Sequence, residues 1–246
     1  MSLMKDKRLL ALRNNNALYD EIFANQNICF RRNDSICYCL EETLTYYSNL
    51  VTVDKEWKPD EIFEAIDKNF EKENWSEWSI KDSFAVLNLT EYKFETLFSA
   101  QWLYLEAEKF TPLKSESNSS FAVLENESDL EIWRKAWDDN EKLGKEIFDS
   151  KLLTNPRVYF IAGYENNKIA CGCFLNKSDS VLGVSNFFAK DKSIYYWSEI
   201  IEFIFSAVEK TNIVGYQKNA LAEELEKRLN FEKVGALTIW IKNRNF

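Results

Sequence analysis

An internal repeat constrains this chain more than any other feature of its sequence. When the chain is aligned with itself at an offset of about 137 residues, residues 48–55 match residues 185–192 at four of eight positions. With one residue inserted, residues 61–72 match residues 199–210 at six of twelve positions. Average residue usage would give roughly one identity over both blocks. The sequence therefore predicts two copies of one domain in tandem.

Weaker matches follow in the same order along the chain. The Cys-x-Cys pattern at residues 37–39 recurs at residues 171–173, and the Phe-Glu pair at residues 94–95 recurs at residues 231–232. An alternative explanation is that two amphipathic helices match by chance, because Glu and Ile recur at helical spacing. That alternative accounts for the longer block only, and it leaves the Ser-Asn and Cys-x-Cys matches unexplained.

The boundary between the copies is indicated by composition. Residues 111–120 are polar and rich in serine, which is typical of a linker. A chain of 246 residues is long enough for two ordinary domains, each with its own core. We therefore predict an N-terminal domain over residues 1–112 and a C-terminal domain over residues 119–246.

The absence of histidine excludes several kinds of catalytic site. The chain contains no His at all. Ser-His-Asp and Cys-His catalysis, zinc sites of the HExxH type and mixed His/Cys metal centres are therefore excluded. Any acid–base chemistry must use Glu, Asp, Tyr, Lys, Cys or water.

Charge and cysteine content narrow the partners and the compartment. The net charge is −9 and no stretch is dominated by Lys and Arg, which argues against nucleic acid as a partner. No apolar run approaches the roughly 18 residues of a membrane span, and the first residues do not resemble a secretory signal. Five cysteines are an odd number for a disulfide framework. We expect a cytoplasmic protein with reduced cysteines.

Hydrophobic periodicity predicts a mixed α/β fold in each copy. For the second copy we predict strands at residues 121–124, 157–164, 168–175, 180–188, 212–216 and 231–241, and helices at residues 128–148, 198–210 and 220–229. For the first copy we predict strands near residues 28–31, 35–40, 46–53 and 94–105, and a helix at residues 60–70. The fold class is thus two tandem domains, each with a central, mixed and mostly antiparallel sheet flanked by helices.

One segment of the second copy resembles a known family. Residues 219–231 carry Asn219, Ala222, Leu225 and Leu229 at the spacing N-x-x-A-x-x-L-x-x-x-L, followed by Phe231. This pattern and the element order are similar to the C-terminal half of the GNAT fold of coenzyme-A-dependent acyltransferases. The resemblance covers about residues 119–246 and reaches the first copy only through the repeat. It implies acetyl-CoA as co-substrate and transfer of its acyl group to a primary amine.

Two positions depart from the family pattern. Glu226 stands where the family often has a tyrosine that protonates the leaving thiolate, so Glu226 is a candidate acid if burial raises its pKa. The segment at residues 190–197 corresponds to the pyrophosphate loop and contains no glycine. We expect Lys190, Lys192 and Ser193 to hold the phosphates at the start of the next helix, or else to be a solvated loop.

The resemblance assigns the cofactor-binding strand to Ser185, Asn186, Phe187 and Phe188. There the strand parts from its neighbour, and free main-chain N–H groups polarise the thioester carbonyl. The alternative is an ordinary central strand with a phenylalanine in the core.

Several other side chains can be interpreted either as functional or as structural residues. Asn219 contacts the coenzyme, as the resemblance implies, or serves as the N-cap of its helix, and the two roles are compatible. Tyr216 and Tyr164, at strand ends, are candidate proton donors or ordinary packing residues. The two Cys-x-Cys pairs could bind zinc, but small side chains on one face of a strand also pack well, and we expect no metal.

The predicted function is N-acylation, with two roles for the two copies. The second copy binds acetyl-CoA, and the first copy is structural or helps to bind the acceptor in the cleft between them. The acceptor is a small-molecule amine, or the N-terminal or side-chain amine of a peptide, and the acidic surface favours a cationic one. The alternative is a catalytically inactive binding protein that has kept the fold and lost the cofactor site. The oligomeric state stays open.

Overall fold

Eleven strands join into one sheet in the part of the chain that the structure describes. The computed structural model describes residues 6–39, 41–58, 77–114, 119–191 and 194–243. The strands are β1 Arg31–Arg32, β2 Ile36–Tyr38, β3 Leu50–Thr52, β4 Glu77–Asp82, β5 Glu95–Leu105, β6 Ser120–Val123, β7 Val158–Glu165, β8 Lys168–Ser178, β9 Val181–Ala189, β10 Asn212–Gln217 and β11 Glu232–Asn243. The α-helices in these ranges are α1 Lys7–Asn25, α2 Glu127–Trp137, α3 Glu141–Ile147, α4 Ile194–Phe203 and α5 Asn219–Leu229.

The sheet is mixed and mostly antiparallel, which confirms the predicted fold class. Its order is β1-β2-β3-β4-β11-β5-β10-β9-β8-β7-β6. The pairs β3/β4 and β9/β10 are parallel, and every other neighbouring pair is antiparallel. We call the chain up to the end of β5 the first half and the chain from β6 onwards the second half.

The two halves repeat one arrangement of strands. Strands β1 to β4 have the same sequence of antiparallel, antiparallel and parallel neighbours as β7 to β10. Strands β5 and β11 both begin at the glutamate of the repeated Phe-Glu pair, Glu95 and Glu232. The turn before each contains a residue in the left-handed region, Lys93 with φ 62° and Asn230 with φ 61°. These correspondences support the repeat read from the sequence.

Each half places its last strand against the other half. Strand β11 lies between β4 and β5, and β5 lies between β11 and β10. Strand β11 of the second half therefore extends the strands of the first half, and strand β5 of the first half extends the strands of the second half. The sequence did not predict this exchange. The boundary at residues 112 and 119 stays a prediction about sequence segments.

The N-terminal helix α1 is the first element of the first half, but it packs largely against the second half. It contacts β8, β9 and β10 as well as β5. Leu18, Ile22 and Phe23 lie in one buried cluster with Trp133 and Phe160 of the second half. The helix also buries three consecutive asparagines, residues 14–16. Its position brings polar side chains into the middle of the sheet.

One predicted helix differs in the structure, and the structure contains a strand that was not predicted. The helix predicted at residues 128–148 is two helices, because Asp138 is extended and Asn140 accepts a hydrogen bond from the N–H of Leu143, 3.2 Å away, to cap α3. Strand β4, at Glu77–Asp82, was not predicted. The helix predicted at residues 60–70 lies outside the described residues.

The cysteine pair of β8 packs in the core. Cys171 and Cys173 are fully buried in a cluster with Ile200 and Leu225 of the covering helices. Burial raises the pKa of the Cys171 thiol to about 12. The described residues contain no group of three metal-ligating side chains, and none of their helices is long and apolar enough to cross a membrane.

Thiol labelling tests this packing. Cys29 is exposed and the other four cysteines are buried. Because only an accessible thiolate reacts, we expect Ellman's reagent to modify one thiol in the native protein and five after unfolding in guanidinium. A second equivalent reacting at the native rate would contradict the burial of the two Cys-x-Cys pairs.

Candidate active site

Strands β9 and β10 part in the middle of the sheet. Their parallel ladder pairs Val181 with Asn212 and ends at the pair of Gly183 and Val214. Beyond that pair, β9 remains bonded to β8 and β10 remains bonded to β5. The described residues form no further ladder pair between β9 and β10. The inner backbone edges of both strands therefore face a gap.

A bulge in β9 accompanies the parting. The register between β8 and β9 shifts between Gly172 and Phe174. Asn186, opposite this shift, has φ 50°, in the left-handed region that asparagine tolerates better than most residues. Bulges bend a strand and increase its twist. The bend turns the end of β9 away from β10.

The gap opens into a polar cavity of about 250 Å³ beneath α1. Its walls are the inner edges of β9 and β10, the middle of α1, and side chains from β4, β5 and the loop before β3. The residues that line it include asparagines and tyrosines but no aspartate or glutamate, and Lys81 is the one charged side chain among them. Both halves thus contribute to one site.

Lys81 is the central polar group of this cavity. It lies on β4, is 2% exposed, and its Nζ donates a hydrogen bond to Oδ1 of Asn15 at 2.8 Å. The ring centroids of Tyr19 and Tyr216 lie 4.9 and 4.7 Å from Nζ. Burial lowers the pKa of Lys81, and Tyr216 acts in the opposite direction. The amine of Lys81 is thus surrounded by neutral groups only.

An asparagine pair closes the floor of the cavity. Nδ2 of Asn14 donates to the carbonyl of Asn176 at 3.0 Å and to Oγ of Ser178 at 2.9 Å. Nδ2 of Asn176 donates in return to the carbonyl of Asn14 at 2.9 Å. These bonds tie α1 to β8. Gly183 leaves them room, because a Cβ there would lie 1.9 Å from Oδ1 of Asn14.

Aromatic side chains occupy the other face of the gap. The rings of Phe187 and Trp197 stack with centroids 4.2 Å apart, and a space of only about 10 Å³ remains between Val184, Gly215 and Trp197. The indole Nε1 of Trp197 is buried and makes no hydrogen bond in the described part of the chain. A buried N–H donor without an acceptor is costly. This atom is therefore a candidate contact for a ligand in the gap.

The structure separates the residues predicted for this site. Ser185, Asn186 and Phe187 line the cavity with Tyr216, as expected for a parted strand. Phe188 does not line it and packs edge-on against Trp133 at 5.2 Å. Whether these residues bind a coenzyme stays a prediction.

Asn219 has a different role from the predicted cap. It is the first residue of α5, whose N-cap is Lys218, so the prediction that Asn219 caps the helix is wrong. Its Oδ1 instead accepts a hydrogen bond from Nε2 of Gln101 on β5 at 3.2 Å. The side chain of Asn219 therefore links α5 to β5.

The candidate acid and the candidate phosphate contacts lie elsewhere. Glu226 does not line the cavity, and its carboxylate pairs with Lys233 at 2.8 Å on the surface. Lys190 pairs with Glu165, which raises the pKa of Lys190. The same carboxylate accepts a hydrogen bond from Tyr196 at 2.6 Å. Residues 192–193, the other two predicted phosphate contacts, lie outside the described residues.

The equivalent position in the first half is closed. Strands β3 and β4 are joined at Leu50 with Ile80 and at Val51 with Lys81. Just beyond, the N–H of Ser83 donates to Oγ1 of Thr52 at 2.9 Å, which bridges the strands. The first half therefore has no gap like the one between β9 and β10 in its described residues.

Sequence reasoning missed the residues that the first half contributes. Lys81 gave no signal because β4 was not recognised as a strand. The run of asparagines in α1 was a signal, since Asn is a poor residue inside a helix unless its side chain has a partner. Tyr47 also lines the cavity, and burial raises the pKa of its hydroxyl while Asn186 opposes that rise.

Comparison with known proteins shows the fold. No protein-family model and no curated protein matches this sequence. Solved structures do match. A GCN5-related N-acetyltransferase from Kribbella flavida superposes with TM-score 0.68 and 12% identity, covering 96% of each chain. A tandem GNAT protein from the clavulanic acid biosynthesis pathway superposes with TM-score 0.56 and 6% identity, covering 79% of this chain and 74% of that one.

The chain has a tandem GNAT fold. A functionally unknown conserved protein from Staphylococcus epidermidis is equally similar, with TM-score 0.68 and 13% identity over 91% of this chain and 98% of that chain. Identities this low establish the fold and leave the chemistry to be argued from the site. In this tandem GNAT fold, the parted strands β9 and β10 open onto a cavity that both halves line.

Proposed function

We propose that the protein is an N-acyltransferase that moves an acetyl group from acetyl-CoA to a primary amine. The observation that carries this proposal is the parting of β9 and β10 beside a polar cavity. Two free backbone edges in the interior of a sheet leave N–H and C=O groups without ladder partners, and an extended ligand with amide groups can satisfy them. We propose that this happens in the cytoplasm.

The residues of the second half fit such a co-substrate at the gap. Acetyl-CoA supplies an activated acyl group, as a thioester, together with an arm that carries amide groups. The inner edge of β9 from Ser185 to Phe187 and the unpartnered Nε1 of Trp197 are groups that this arm would contact. We keep Lys190, Lys192, Ser193 and Asn219 as candidate contacts for the rest of the molecule. To bind a phosphate, Lys190 would have to break its ion pair with Glu165.

Two groups of the chain have proposed chemical roles. Free N–H groups on β9 would stabilise the negative charge that develops on the acyl oxygen as the amine attacks. Tyr216 would donate its hydroxyl proton to the leaving sulfur and regain a proton, through water, from the attacking nitrogen as the amide forms. Glu226 cannot fill this role from its surface pair with Lys233. The cavity holds the acceptor in place, which supplies much of the rate by proximity.

Replacing Tyr216 with phenylalanine tests this assignment. Removal of one proton donor typically costs about 10²-fold or more in turnover. We therefore expect Tyr216→Phe to lower acetyl transfer about 100-fold while calorimetry shows unchanged affinity for acetyl-CoA. The matched control is Tyr164→Phe on β7, because Tyr164 does not line the cavity, and its turnover should stay at the wild-type level.

Two results would count against the assignment. No heat of binding from acetyl-CoA at high concentration would reject the transferase proposal as a whole. Equal turnover in Tyr216→Phe and Tyr164→Phe, with binding intact, would reject only the role of Tyr216.

A second candidate function is a non-catalytic binding protein that uses the cavity alone. The stack of Phe187 on Trp197, which leaves about 10 Å³ on the far side of the gap, favours it. This candidate predicts that a small ligand binds in the cavity while acetyl-CoA does not bind, even in Phe187→Ala, where the stack is removed. Binding of acetyl-CoA by the wild type would reject it.

A further inference from the structure

The cavity buries a lysine and provides no anion for it. Lys81 is 2% exposed, and no aspartate or glutamate lines the same cavity. Moving a charged group out of water without a counter-ion is among the most expensive steps in folding. An ammonium has three N–H donors; Lys81 donates one to Asn15 at 2.8 Å, and the hydroxyl of Tyr216 is a second hydrogen-bonding group beside it. One donor remains for a ligand.

The neighbouring groups do not relieve this charge. The carboxylate of Asp82, next in sequence, accepts the N–H of Phe84 at 3.1 Å and the N–H of Leu87 at 2.8 Å. Lys81 forms no ion pair within the described ranges. Tyr19 offers a ring face, and Tyr216 offers a ring face and a neutral hydroxyl, all of which attract a cation more weakly than a carboxylate does.

A second polar atom of the cavity is weakly bonded. The hydroxyl of Tyr47 is buried and forms no hydrogen bond of normal length with the described residues, and the side chain of Asn186 is the polar group that acts on it. Tyr47 lines the same cavity as Lys81. A lysine ammonium and a phenol are both donors, and together they are complementary to an anionic oxygen.

We propose that this cavity binds the carboxylate of the acceptor, with Lys81 as its counter-ion, so that the acceptor is a small amine that carries a carboxylate, such as an amino acid. The amine part of this assignment rests on the proposed acyl transfer. The carboxylate part rests on Lys81 and Tyr47 and does not need acetyl-CoA.

The size and charge of the cavity restrict the acceptor further. A volume of about 250 Å³ lies below the roughly 300–1,000 Å³ of sites for drug-sized ligands, so the occupant is small. The acidic surface suggested a cationic acceptor, but the lining contains a lysine and no carboxylate. The local charge of the site outweighs the net charge of the chain, because a buried charge is screened much less than surface charges are.

The test measures binding without acetyl-CoA. The probes are the proteinogenic amino acids, their methyl esters and inorganic phosphate, followed by thermal unfolding and calorimetry at constant ionic strength. We expect at least one amino acid to raise the unfolding temperature, and its methyl ester to bind at least about 30-fold more weakly, as the loss of one partner of a buried ion pair implies.

The variant Lys81→Met separates a binding role from a structural one. Methionine is of similar length and carries no charge, so removing an unpaired buried cation should leave the unfolding temperature unchanged or higher. Amino-acid binding should fall at least about 30-fold. The control is Lys233→Met, a surface lysine paired with Glu226, which should leave binding unchanged.

Each outcome decides the proposal. Equal binding of an amino acid and its ester, preferential binding of phosphate, or no binding by any amino acid would overturn it. Unfolding of Lys81→Met at a much lower temperature, with amino-acid binding unaffected in the folded fraction, would also overturn it. If an amino acid binds through its carboxylate but is not acetylated when acetyl-CoA is added, the carboxylate site stands and the proposed transferase activity fails.

Discussion

Expression of the two halves as separate proteins is expected to leave neither with a cooperative fold. The segments in question are residues 1–112 and residues 119–246, the two domains read from the sequence. Alone, the first half would lack β11, which pairs with β4 from Thr238 to Asn243 and with β5 along most of its length. The second half would lack β5, which bonds to β10 and β11.

The hydrophobic cores show the same dependence. Trp240 of β11 packs with Trp78 and Ile80 in the core of the first half. Leu103 and Leu105 of β5 pack in the core of the second half. Each half alone would therefore expose both an unpaired strand edge and an incomplete core, and exposed edges favour aggregation. The second half alone would also lack helix α1, so the surface that α1 buries would be exposed to solvent.

Circular dichroism during urea unfolding measures this. The full chain should give one cooperative transition, and each fragment alone should give none. The control is co-expression of the two fragments, which should restore a single transition because all strand pairings are then available. If a fragment alone unfolds cooperatively, with the m-value in urea expected for its length, the two sequence segments are independent domains.

Gly183→Ala is expected to lower the free energy of unfolding by about 3 kcal/mol. The added Cβ would lie 1.9 Å from Oδ1 of Asn14 and 2.5 Å from Oδ1 of Asn176. Overpacking of this kind costs about 1–3 kcal/mol, and each disturbed hydrogen bond of the asparagine pair adds about 1 kcal/mol. The clash lies at the last ladder pair before β9 and β10 separate, so binding in the cavity should weaken as well.

Two comparison variants make this result specific. Gly144→Ala in α3 brings a Cβ to 3.1 Å from Cβ of Arg134, a contact that a small shift relieves, and helical alanine is favourable. We expect its effect to stay within about 1 kcal/mol. The double variant Asn14→Ala with Gly183→Ala should cost less than the sum of the two single changes, because the residues are in contact. Additive costs would show that Asn14 does not occupy the space beside Gly183.

Much of the second half was predictable because its signals are local. The hairpin of β7 and β8 turns at two asparagines with positive φ, Asn166 and Asn167, and a nearly continuous apolar run marks each strand. The apolar stripe of α5, with Ala222, Leu225 and Leu229 buried, follows the spacing of a single helix face. Short-range patterns of this kind do not depend on the rest of the chain.

The first half was harder to predict for a physical reason. Its strands β1 to β3 are only two or three residues long, which is too short for a clear alternation of apolar and polar residues. The buried polar residues of α1 and β4 also hide the usual apolar stripe. Asn14 and Asn15 are stable inside because each finds a partner on a distant element.

The sequence by itself determined most of the order of the elements in the second half, the matching blocks that indicate a repeat and the strand in which Asn186 lies, since these follow from local periodicity and from residues that match along the chain. Only the tertiary structure decided that β5 and β11 change places between the halves, and that Lys81 of the first half faces Tyr216 of the second. Such contacts depend on which surfaces bury one another and on which polar groups then find partners. Those free energies belong to the assembled sheet and to no single segment of it.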